Sequence, residues 1–410
     1  MVLWGERKAM IRRERYSGKI KSLLGTPLIK VITGMRRSGK STILELLKDD
    51  LLKADTRDSH ILHINYESLR YESLRTYDAL YRHVSEWAEG KGGRLYILLD
   101  EVQEVEKWER VVSSLLVDFD CDIIVTGSNA RLLSSELSTL IAGRYIEIKV
   151  YPLSFSEYKE FRSNKEEYGD DRKLFEEYLR FGGMPGIHGV FPDAISEYIR
   201  GIYNTIILRD VIIRNEIRNA ELLERITYFL MGNVGNIFSA KSIGDFLKSQ
   251  RRGVGAETVY NYLNMLMTAL FAHKAPRYDV KGKRHLETLE KYYLTDHGIQ
   301  SAMLGYDDRR LPGLLENIVY VELLRRGYRV SIGKINNLEI DFVAGKESER
   351  LYIQVTTTTA DDATLERELK PLMSIGDNYP KCVLSLDTLL GGNVGGIEIK
   401  SIISFLLENP

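Results

Sequence analysis

The chain has 410 residues, 44% of them hydrophobic and 28% charged, a globular composition that excludes disorder over the whole chain. At roughly 100 to 200 residues per domain, this length predicts two to four domains. The 57 basic and 58 acidic side chains nearly cancel, so the overall charge does not indicate a nucleic-acid or membrane partner.

Cysteine usage and hydropathy narrow the class of protein further. The two cysteines, Cys121 and Cys382, are too few for a disulfide framework or a thiolate zinc cluster, and a reducing cytoplasm is the predicted location. No apolar run approaches the roughly 18 residues of a membrane helix, and the N-terminus has charges where a signal peptide is apolar. The sequence therefore predicts no membrane partner, and its scattered histidines predict no metal site built from histidine.

The first third of the chain alternates β-branched runs with helical stretches. This alternation is typical of a parallel sheet covered by helices, and we predict an α/β fold. The predicted strands are residues 28–33, 61–66, 95–99, 123–126 and 145–150, and the predicted helices include residues 41–52 and 108–119. Residues 151–225 lose the strand pattern and predict a helical appendage.

A glycine-rich loop follows the first predicted strand. Gly34, Gly39, Lys40 and Ser41 have the spacing GxxxxGK[ST] between an apolar strand and a helix, which is the context that a phosphate-binding loop requires. Lys40 can reach the β and γ phosphates of ATP, and the Ser41 hydroxyl can bind Mg²⁺. A glycine turn that only caps a helix is the alternative. The predicted nucleotide-binding residues are Gly34, Met35, Arg36, Arg37, Ser38, Gly39, Lys40, Ser41 and Thr42.

An acidic pair follows the third predicted strand. In RLYILLDEVQ an apolar run ends in Asp100 and Glu101. Asp100 is placed to hold the water shell of the magnesium ion, and Glu101 to orient and polarise the attacking water. Ser41 and Asp100 are thus the predicted metal residues. An acidic turn after a strand is common by itself and becomes specific only together with the loop at Gly34.

Two further strand edges supply candidate catalytic residues. After the strand in CDIIVTGSNARL, Asn129 or Ser128 is the candidate sensor of the γ-phosphate, with an ordinary turn as the alternative. Arg144 begins a later strand and is the candidate arginine finger, acting in its own chain or on a neighbouring subunit. Its alternative role is a solvated or ion-paired side chain. The predicted catalytic residues are Glu101, Lys40, Arg144 and Asn129.

The order GMRRSGKST, LLDEVQ, TGSN, AGRYIEIKVYPLSFSEY and FGGMPGI resembles bacterial and archaeal AAA+-type P-loop ATPases that carry a C-terminal domain of unknown function. The resemblance extends over essentially the whole chain. It implies that Lys40 and Ser41 belong to the first phosphate motif and that Asp100 and Glu101 form the second. It also implies a first sensor around Ser128 and Asn129 and an arginine finger at Arg144.

The middle of the chain predicts two helices and then a strand–turn–strand. Lys281, Gly282, Lys283 and Arg284 lie at the tip of this turn. The order predicts a winged helix-turn-helix, which the resemblance also implies. Residues 241–286 carry nine basic and three acidic side chains, so duplex DNA is the candidate partner there, and a spacer or protein contact is the alternative. The basic stretch of residues 7–30 is a second candidate footprint, or a solvated helix.

The last hundred residues predict mixed helices and strands. The resemblance implies a restriction-endonuclease-like core here, with Glu316, Asp341, Gln354 and Thr356 at the places of its acidic residue, aspartate, glutamate and lysine. Gln354 and Thr356 depart from that pattern. Because a carboxylate is lost and no lysine is expected nearby to polarise phosphate or water, we predict a degenerate domain that binds nucleic acid or protein.

Together these features predict four modules. They are an ATPase core at residues 1–150, a helical lid at 151–225, a winged helix at 226–304 and a degenerate nuclease-like domain at 305–410. The predicted function is a Mg²⁺-dependent ATPase whose nucleotide state, ATP or ADP, rearranges the C-terminal modules, with DNA and further copies of the chain as candidate partners. The alternatives are a nucleotide-gated protein-binding switch with little turnover and a DNA-cleaving enzyme acting through the C-terminal domain.

Overall fold

The computed structural model describes residues 11–133, 143–163, 170–249, 254–387 and 391–408. Residues 250–253, part of the predicted DNA-contacting stretch, lie outside these ranges. The chain divides between Val150 and Tyr151 into two units. The finer division into four modules stays a prediction.

The first unit is built on a parallel sheet of five strands in the order β2-β3-β4-β1-β5. This arrangement confirms the predicted α/β class. Its strands are β1 (Ile29–Thr33), β2 (Ile61–Asn65), β3 (Leu95–Asp100), β4 (Cys121–Gly127) and β5 (Tyr145–Lys149). Its described helices are α1 (Glu14–Ser22), α2 (Lys40–Lys53), α3 (Tyr77–Ala88) and α4 (Trp108–Asp118).

Helices cover both faces of this sheet because successive strand residues point to opposite sides. In β1, Val31 packs into a core with α3 and α4, whereas Ile32 packs into a second core with α1 and α2. All residues of β1 and β4 are buried. Strands that are buried along their whole length are typical of parallel sheets covered on both faces. The sheet is therefore a rigid platform, and the loops at its carboxyl edge are held by the core beneath them.

The second unit begins with helices and continues into a mixed α/β region. Its helices are α5 (Phe155–Ser163), α6 (Asp171–Phe181), α7 (Ile195–Thr205), α8 (Ala220–Gly232), α9 (Ala240–Ser249), α10 (Ala256–Thr268), α11 (Gly298–Leu304), α12 (Leu311–Arg325), α13 (Asp362–Met373) and α14 (Ile402–Leu407). A π-helix, Ile206–Ile213, directly extends α7. Among the helices that the structure describes, none has both the length and the apolar character needed to cross a bilayer.

A sheet of nine strands organises the rest of the second unit. Its strands are β6 (Ile237–Phe238), β7 (Ala272–Asp279), β8 (Arg284–Leu294), β9 (Arg329–Ile335), β10 (Leu338–Lys346), β11 (Glu349–Thr356), β12 (Lys381–Ser385), β13 (Gly392–Val394) and β14 (Ile397–Ser401). Their order is β13-β14-β12-β11-β10-β9-β7-β8-β6. The hairpin β7–β8 joins the C-terminal strands through parallel pairing of β7 with β9. The hairpin and the C-terminal strands therefore share one sheet.

Candidate functional site

The loop predicted to bind phosphate connects β1 to α2. At Gly34 an added Cβ would lie 2.3 Å from the carbonyl oxygen of Val150 and 2.8 Å from Oγ of Ser38, so no side chain fits. Gly39 has a φ of 98°, a left-handed conformation that glycine adopts without steric cost. Helix α2 begins at the next residue. Two glycines of the motif are thus required by the geometry of the loop.

Lys40 lies inside this loop. Its side-chain nitrogen donates hydrogen bonds to the carbonyl oxygens of Gly34, at 3.1 Å, and Met35, at 3.3 Å. The same nitrogen lies 3.5 Å from Oε1 of Glu101. Lys40 is only 4% exposed, so its ammonium is screened from solvent and interacts strongly with charges around it. The structure therefore brings together two of the residues predicted to be catalytic.

Glu101 follows β3 directly and has a φ of 57°. Nε2 of Gln103 donates a hydrogen bond to its Oε2. Burial raises the pKa of Glu101, but Lys40, Gln103 and Arg36 outweigh that effect and the pKa is lowered overall. Glu101 is therefore a carboxylate at neutral pH, the state needed to accept a proton from water. Sequence reasoning gave Gln103 no role; its position two residues after Glu101 was the available signal.

Asp100 ends β3 beside β4. Its Oδ1 accepts a hydrogen bond from the Thr126 hydroxyl, which in turn accepts one from the backbone N–H of Glu101 at 2.9 Å. Burial raises the pKa of Asp100, and hydrogen bonds from Thr126 and Ser41 oppose this rise. The hydroxyl of Ser41 and the carboxylate of Asp100 are thus neighbours. Such hard oxygen ligands suit Mg²⁺, and the two residues fit the ion that the sequence predicts here.

The candidate sensors lie at the same edge of the sheet. β4 lies between β1 and β3, so the turn after it is next to both the loop and the acidic pair. Ser128 and Asn129 are buried in this turn. Oγ of Ser38, in the loop, and Oε1 of Gln103 are buried and have no hydrogen-bond partner among the residues that the structure describes. Polar atoms of this kind are costly to leave unpaired in a protein interior, and they mark the loop mouth as a place for a polar ligand.

Arg144 lies at the opposite edge of the sheet. Its carbonyl oxygen accepts a hydrogen bond from the backbone N–H of Ile29, the first residue of β1, at 2.9 Å. The loop leaves β1 four residues later, after Thr33, which is about 13 Å along a strand. The backbone of Arg144 is therefore at the far end of β1 from the loop of its own chain. The role of Arg144 as a finger, on its own chain or on a neighbouring copy, stays a prediction.

Part of the N-terminal basic stretch supports the loop. Nη1 of Arg13 donates a hydrogen bond to the carbonyl oxygen of Ser38 at 3.0 Å, and Arg13 is buried. Arg12 forms an ion pair with Asp50 on α2. These two cations make internal contacts, which weakens the reading of this stretch as a nucleic-acid footprint. Sequence reasoning missed the Arg13 contact because nothing local connects it to Ser38.

In the second unit, three of the four residues implied by the nuclease-like resemblance come together. Nε2 of Gln354 donates a hydrogen bond to Oε2 of Glu368, and Oε1 of Gln354 accepts one from the backbone N–H of Asp341. Glu316 belongs to the same network through Lys291. Thr356 instead donates to the carbonyl oxygen of Thr358. The expectation that no lysine lies nearby is wrong: Lys291, from β8, occupies the centre of the carboxylates.

Comparison with known proteins identifies two regions of the chain. A family model described as an AAA domain matches residues 26–159, which include the loop, the acidic pair and the candidate sensors. A model described as a domain of unknown function matches residues 172–310. Among solved structures, a Walker-type ATPase of Pyrococcus abyssi is 16% identical and superposes with a TM-score of 0.49, covering 72% of this chain and 97% of its own.

Relatives of similar length are known from bacteria and archaea. An uncharacterized protein of Methanocaldococcus jannaschii is 29% identical over 363 residues, covering 83% of this chain and 77% of its own. An uncharacterized protein of Haemophilus influenzae is 36% identical over 401 residues, covering 98% of this chain and all of its own. The chain therefore belongs to the family of this Haemophilus influenzae protein, with an AAA domain at residues 26–159.

Proposed function

We propose that this protein is a Mg²⁺-dependent ATPase that binds ATP in the loop of residues 34–42. The observation that carries the proposal is the position of Glu101, whose carboxylate lies 3.5 Å from the ammonium of Lys40 at the mouth of that loop. A phosphate-binding lysine and a carboxylate able to activate water are thus within reach of one γ-phosphate. The AAA domain matched at residues 26–159 supports the same reaction class.

The residues divide the chemistry between them. Backbone N–H groups of the loop and the N-terminus of α2 bind the phosphates, and Lys40 neutralises the charge that develops on the γ-phosphate. Glu101 orients a water molecule for in-line attack and accepts its proton. Ser41 and Asp100 would hold Mg²⁺, which would supply positive charge to neutralise the phosphates. Asn129 or Ser128 would sense the γ-phosphate from the end of β4.

Replacement of Lys40 tests the proposal directly. Lys40→Ala should either no longer bind ATP or hydrolyse it at least a hundredfold more slowly. An oriented charge stabilises the transition state by roughly 3 to 4 kcal/mol. The matched control is Lys48→Ala, on the same helix, where the lysine forms an exposed ion pair with Asp58 at 3.1 Å. Nucleotide binding and phosphate release are the measurements. Equal turnover in both variants would overturn the proposal.

The coupling of nucleotide state to the later modules is supported by how the chain leaves the first unit. The backbone N–H of Val150 donates to the carbonyl oxygen of Thr33 at 2.7 Å, and the carbonyl oxygen of Val150 touches the space beside Gly34. The residue that leads into the second unit therefore lies against Thr33 and Gly34, the two consecutive residues at which β1 passes into the loop. A shift of the loop on binding ATP would move Val150 and the chain that follows it.

Duplex DNA is a second candidate ligand, through the middle of the chain. The elements α8, β6, α9, α10, β7 and β8 follow the order of a winged helix, with β6 paired to β8. Tyr260 and Asn261 of α10 are exposed, as are Lys281, Lys283 and Arg284 at the hairpin tip. We infer that α10 would enter a major groove while the tip contacts phosphates.

Salt-dependent binding separates this interpretation from a protein-contact role. Lys281→Ala/Lys283→Ala should weaken binding to a labelled duplex and reduce the slope of log affinity against log salt by about two. The control, Lys346→Ala/Lys370→Ala, removes two exposed lysines elsewhere in the second unit and should leave the slope unchanged. The same affinity and slope in both double variants would exclude the hairpin tip as a DNA contact.

A further inference from the structure

A buried polar cluster in the second unit contains one lysine among several carboxylates. The side-chain nitrogen of Lys291, on β8, lies 2.9 Å from Oε2 of Glu316 and 2.8 Å from Oε1 of Glu339. Oδ1 of Asp341 is 3.8 Å away. Lys291 itself is 3% exposed. The carboxylates come from α12 and β10, so one ammonium connects three elements of the fold.

Two of these carboxylates also accept hydrogen bonds from other groups of the protein. Oε2 of Glu316 also accepts a hydrogen bond from the Tyr293 hydroxyl at 2.9 Å. Oδ2 of Asp341 accepts one from the backbone N–H of Val355 at 2.8 Å. These internal hydrogen bonds hold the carboxylates of Glu316 and Asp341 in place beside Lys291.

Gln354 closes the cluster from the neighbouring strand. Its Oε1 accepts a hydrogen bond from the backbone N–H of Asp341 at 2.7 Å, and its Nε2 donates to Oε2 of Glu368 at 2.9 Å. Both ends of the amide are therefore used inside the fold. A glutamine in this place adds no negative charge, and one lysine can then balance more of the charge that the carboxylates carry.

We propose that Lys291 is the resident cation of this cluster and that it keeps the cluster closed to divalent metal ions. The ammonium takes the position between Glu316, Glu339 and Asp341 where a dication would have to bind. The ammonium and a dication cannot both occupy that buried space. With the ammonium between them, these carboxylates form no group of three that is arranged to hold a metal ion, nor do other His, Cys, Asp or Glu side chains in the part of the chain that the structure describes.

The charge states of the cluster agree with this proposal. Burial lowers the pKa of Lys291, but Glu316, Asp341 and Glu339 outweigh it and the pKa is raised, so the ammonium persists through neutral pH. Burial also raises the pKa values of Glu316 and Asp341, against the opposing effect of Lys291. The lysine therefore fastens the hairpin β7–β8 to α12 and β10 by charge, with no metal ion required.

Manganese binding to the full-length chain without nucleotide tests the proposal. Mn²⁺ is titrated while its free ion is followed by electron paramagnetic resonance. The wild-type chain should show no Mn²⁺ site that Asp341→Asn removes. Lys291→Met should gain one Mn²⁺ per chain, at least tenfold tighter than any site of the wild type, because its carboxylates lose their cation. Lys291→Met/Glu316→Gln should lose that gain.

A matched control uses the other strand of the hairpin. Lys274 on β7 pairs with Glu290 at 3.0 Å, outside the cluster, and Lys274→Met should gain no Mn²⁺. The P-loop contributes equally to all variants and cancels in the comparison. A wild-type site that depends on Asp341, or a folded Lys291→Met without new binding, would overturn the proposal. Even if Lys291→Met fails to fold, an Mn²⁺ site of the wild type that Asp341→Asn removes would overturn the proposal.

Discussion

Oε1 of Glu101 lies 3.5 Å from the side-chain nitrogen of Lys40, although the two residues belong to different strand–loop connections. The sheet order places β4 between β1 and β3, and the side chains of Lys40 and Glu101 reach across its end. The contact exists because all three strands are parallel and end at one edge. Each residue therefore influences the charge of the other, and a change in Glu101 alters the interaction of the Lys40 ammonium with phosphate.

Replacement of Glu101 by glutamine should leave ATP bound but unhydrolysed. The amide keeps the shape of the side chain and removes the base, so we expect turnover to fall by about 10² to 10⁴. Affinity for ATP should stay equal or rise, because the charge of Lys40 is no longer shared with a carboxylate. Binding by fluorescent nucleotide and hydrolysis by phosphate release are measured side by side.

The control for this variant is Glu104→Gln, three residues further along, where the carboxylate lies near Arg75 and is partly exposed. It should hydrolyse ATP at the wild-type rate. Wild-type turnover in Glu101→Gln would remove Glu101 from the catalytic assignment.

Gln103 should act as a positioning residue for Glu101. Its amide donates to Oε2 of Glu101 and helps to lower the pKa of that carboxyl. Gln103→Leu removes a donor to the charged form, so the pKa of Glu101 should rise and the acid limb of kcat/KM should move to higher pH. A lost hydrogen bond to a charged group, about 1.5 kcal/mol, also predicts turnover about tenfold lower at neutral pH.

The pH profile separates positioning from a general loss of structure. Gln103→Glu places a second carboxylate beside Glu101 and should move the acid limb further in the same direction. A Gln103→Leu enzyme that is slower yet has the wild-type pH profile would contradict this role.

Arg144 should act between chains if it is a finger. The register of β1 and β5 places it at the amino edge of the sheet, away from its own loop. Lys40→Ala and Arg144→Ala should each be inactive alone, and their mixture should recover measurable turnover, since one supplies the finger and the other the intact loop. Activity is measured as the ratio of the two variants is varied, with mass in solution followed in parallel. Full activity of Arg144→Ala, or no recovery in the mixture, would contradict trans action.

The loop and the acidic pair could be predicted because they are local patterns. A strand, two glycines and a lysine within eight residues specify both the fold of the loop and its chemistry. The strand beside the one that Arg144 begins could not be predicted, since it depends on which strands pair and in what register. The same holds for Lys30 and Asp122, which form a fully buried ion pair across β1 and β4.

The contacts of Lys291 are even harder to predict from the sequence. In the sequence it is one basic residue in a strand of a hairpin, and nothing near it indicates which carboxylates it contacts. Its partners Glu316 and Glu339 come from α12 and β10, and they meet it only because the hairpin joins the C-terminal sheet. Long-range pairing of strands decides such contacts, and a single sequence carries no pattern for it.

His297 should make the stability of the second unit depend on pH. The ring is buried, and its Nε2–H donates to the carbonyl oxygen of Tyr178 at 2.7 Å. Burial lowers the pKa of His297 from 6.5 to about 4. The neutral ring is therefore favoured in the folded state, and its contribution is fully present above pH 6.5 and lost as pH falls toward 4.

The comparison of wild type with His297→Gln isolates this contribution, because glutamine can still donate to Tyr178 but does not titrate. The difference in their free energies of unfolding should shrink by on the order of 3 kcal/mol between pH 7 and pH 4.

The neighbouring Asp296 supplies a control of opposite sign: burial raises its pKa to about 6, so its protonated form is favoured when folded. The free energy of unfolding of the wild type, relative to that of Asp296→Asn, should therefore fall as pH rises from 4 to 6. Denaturant unfolding at each pH measures both, and a pH-independent difference for His297→Gln would show that the ring is protonated as readily in the fold as in the unfolded chain.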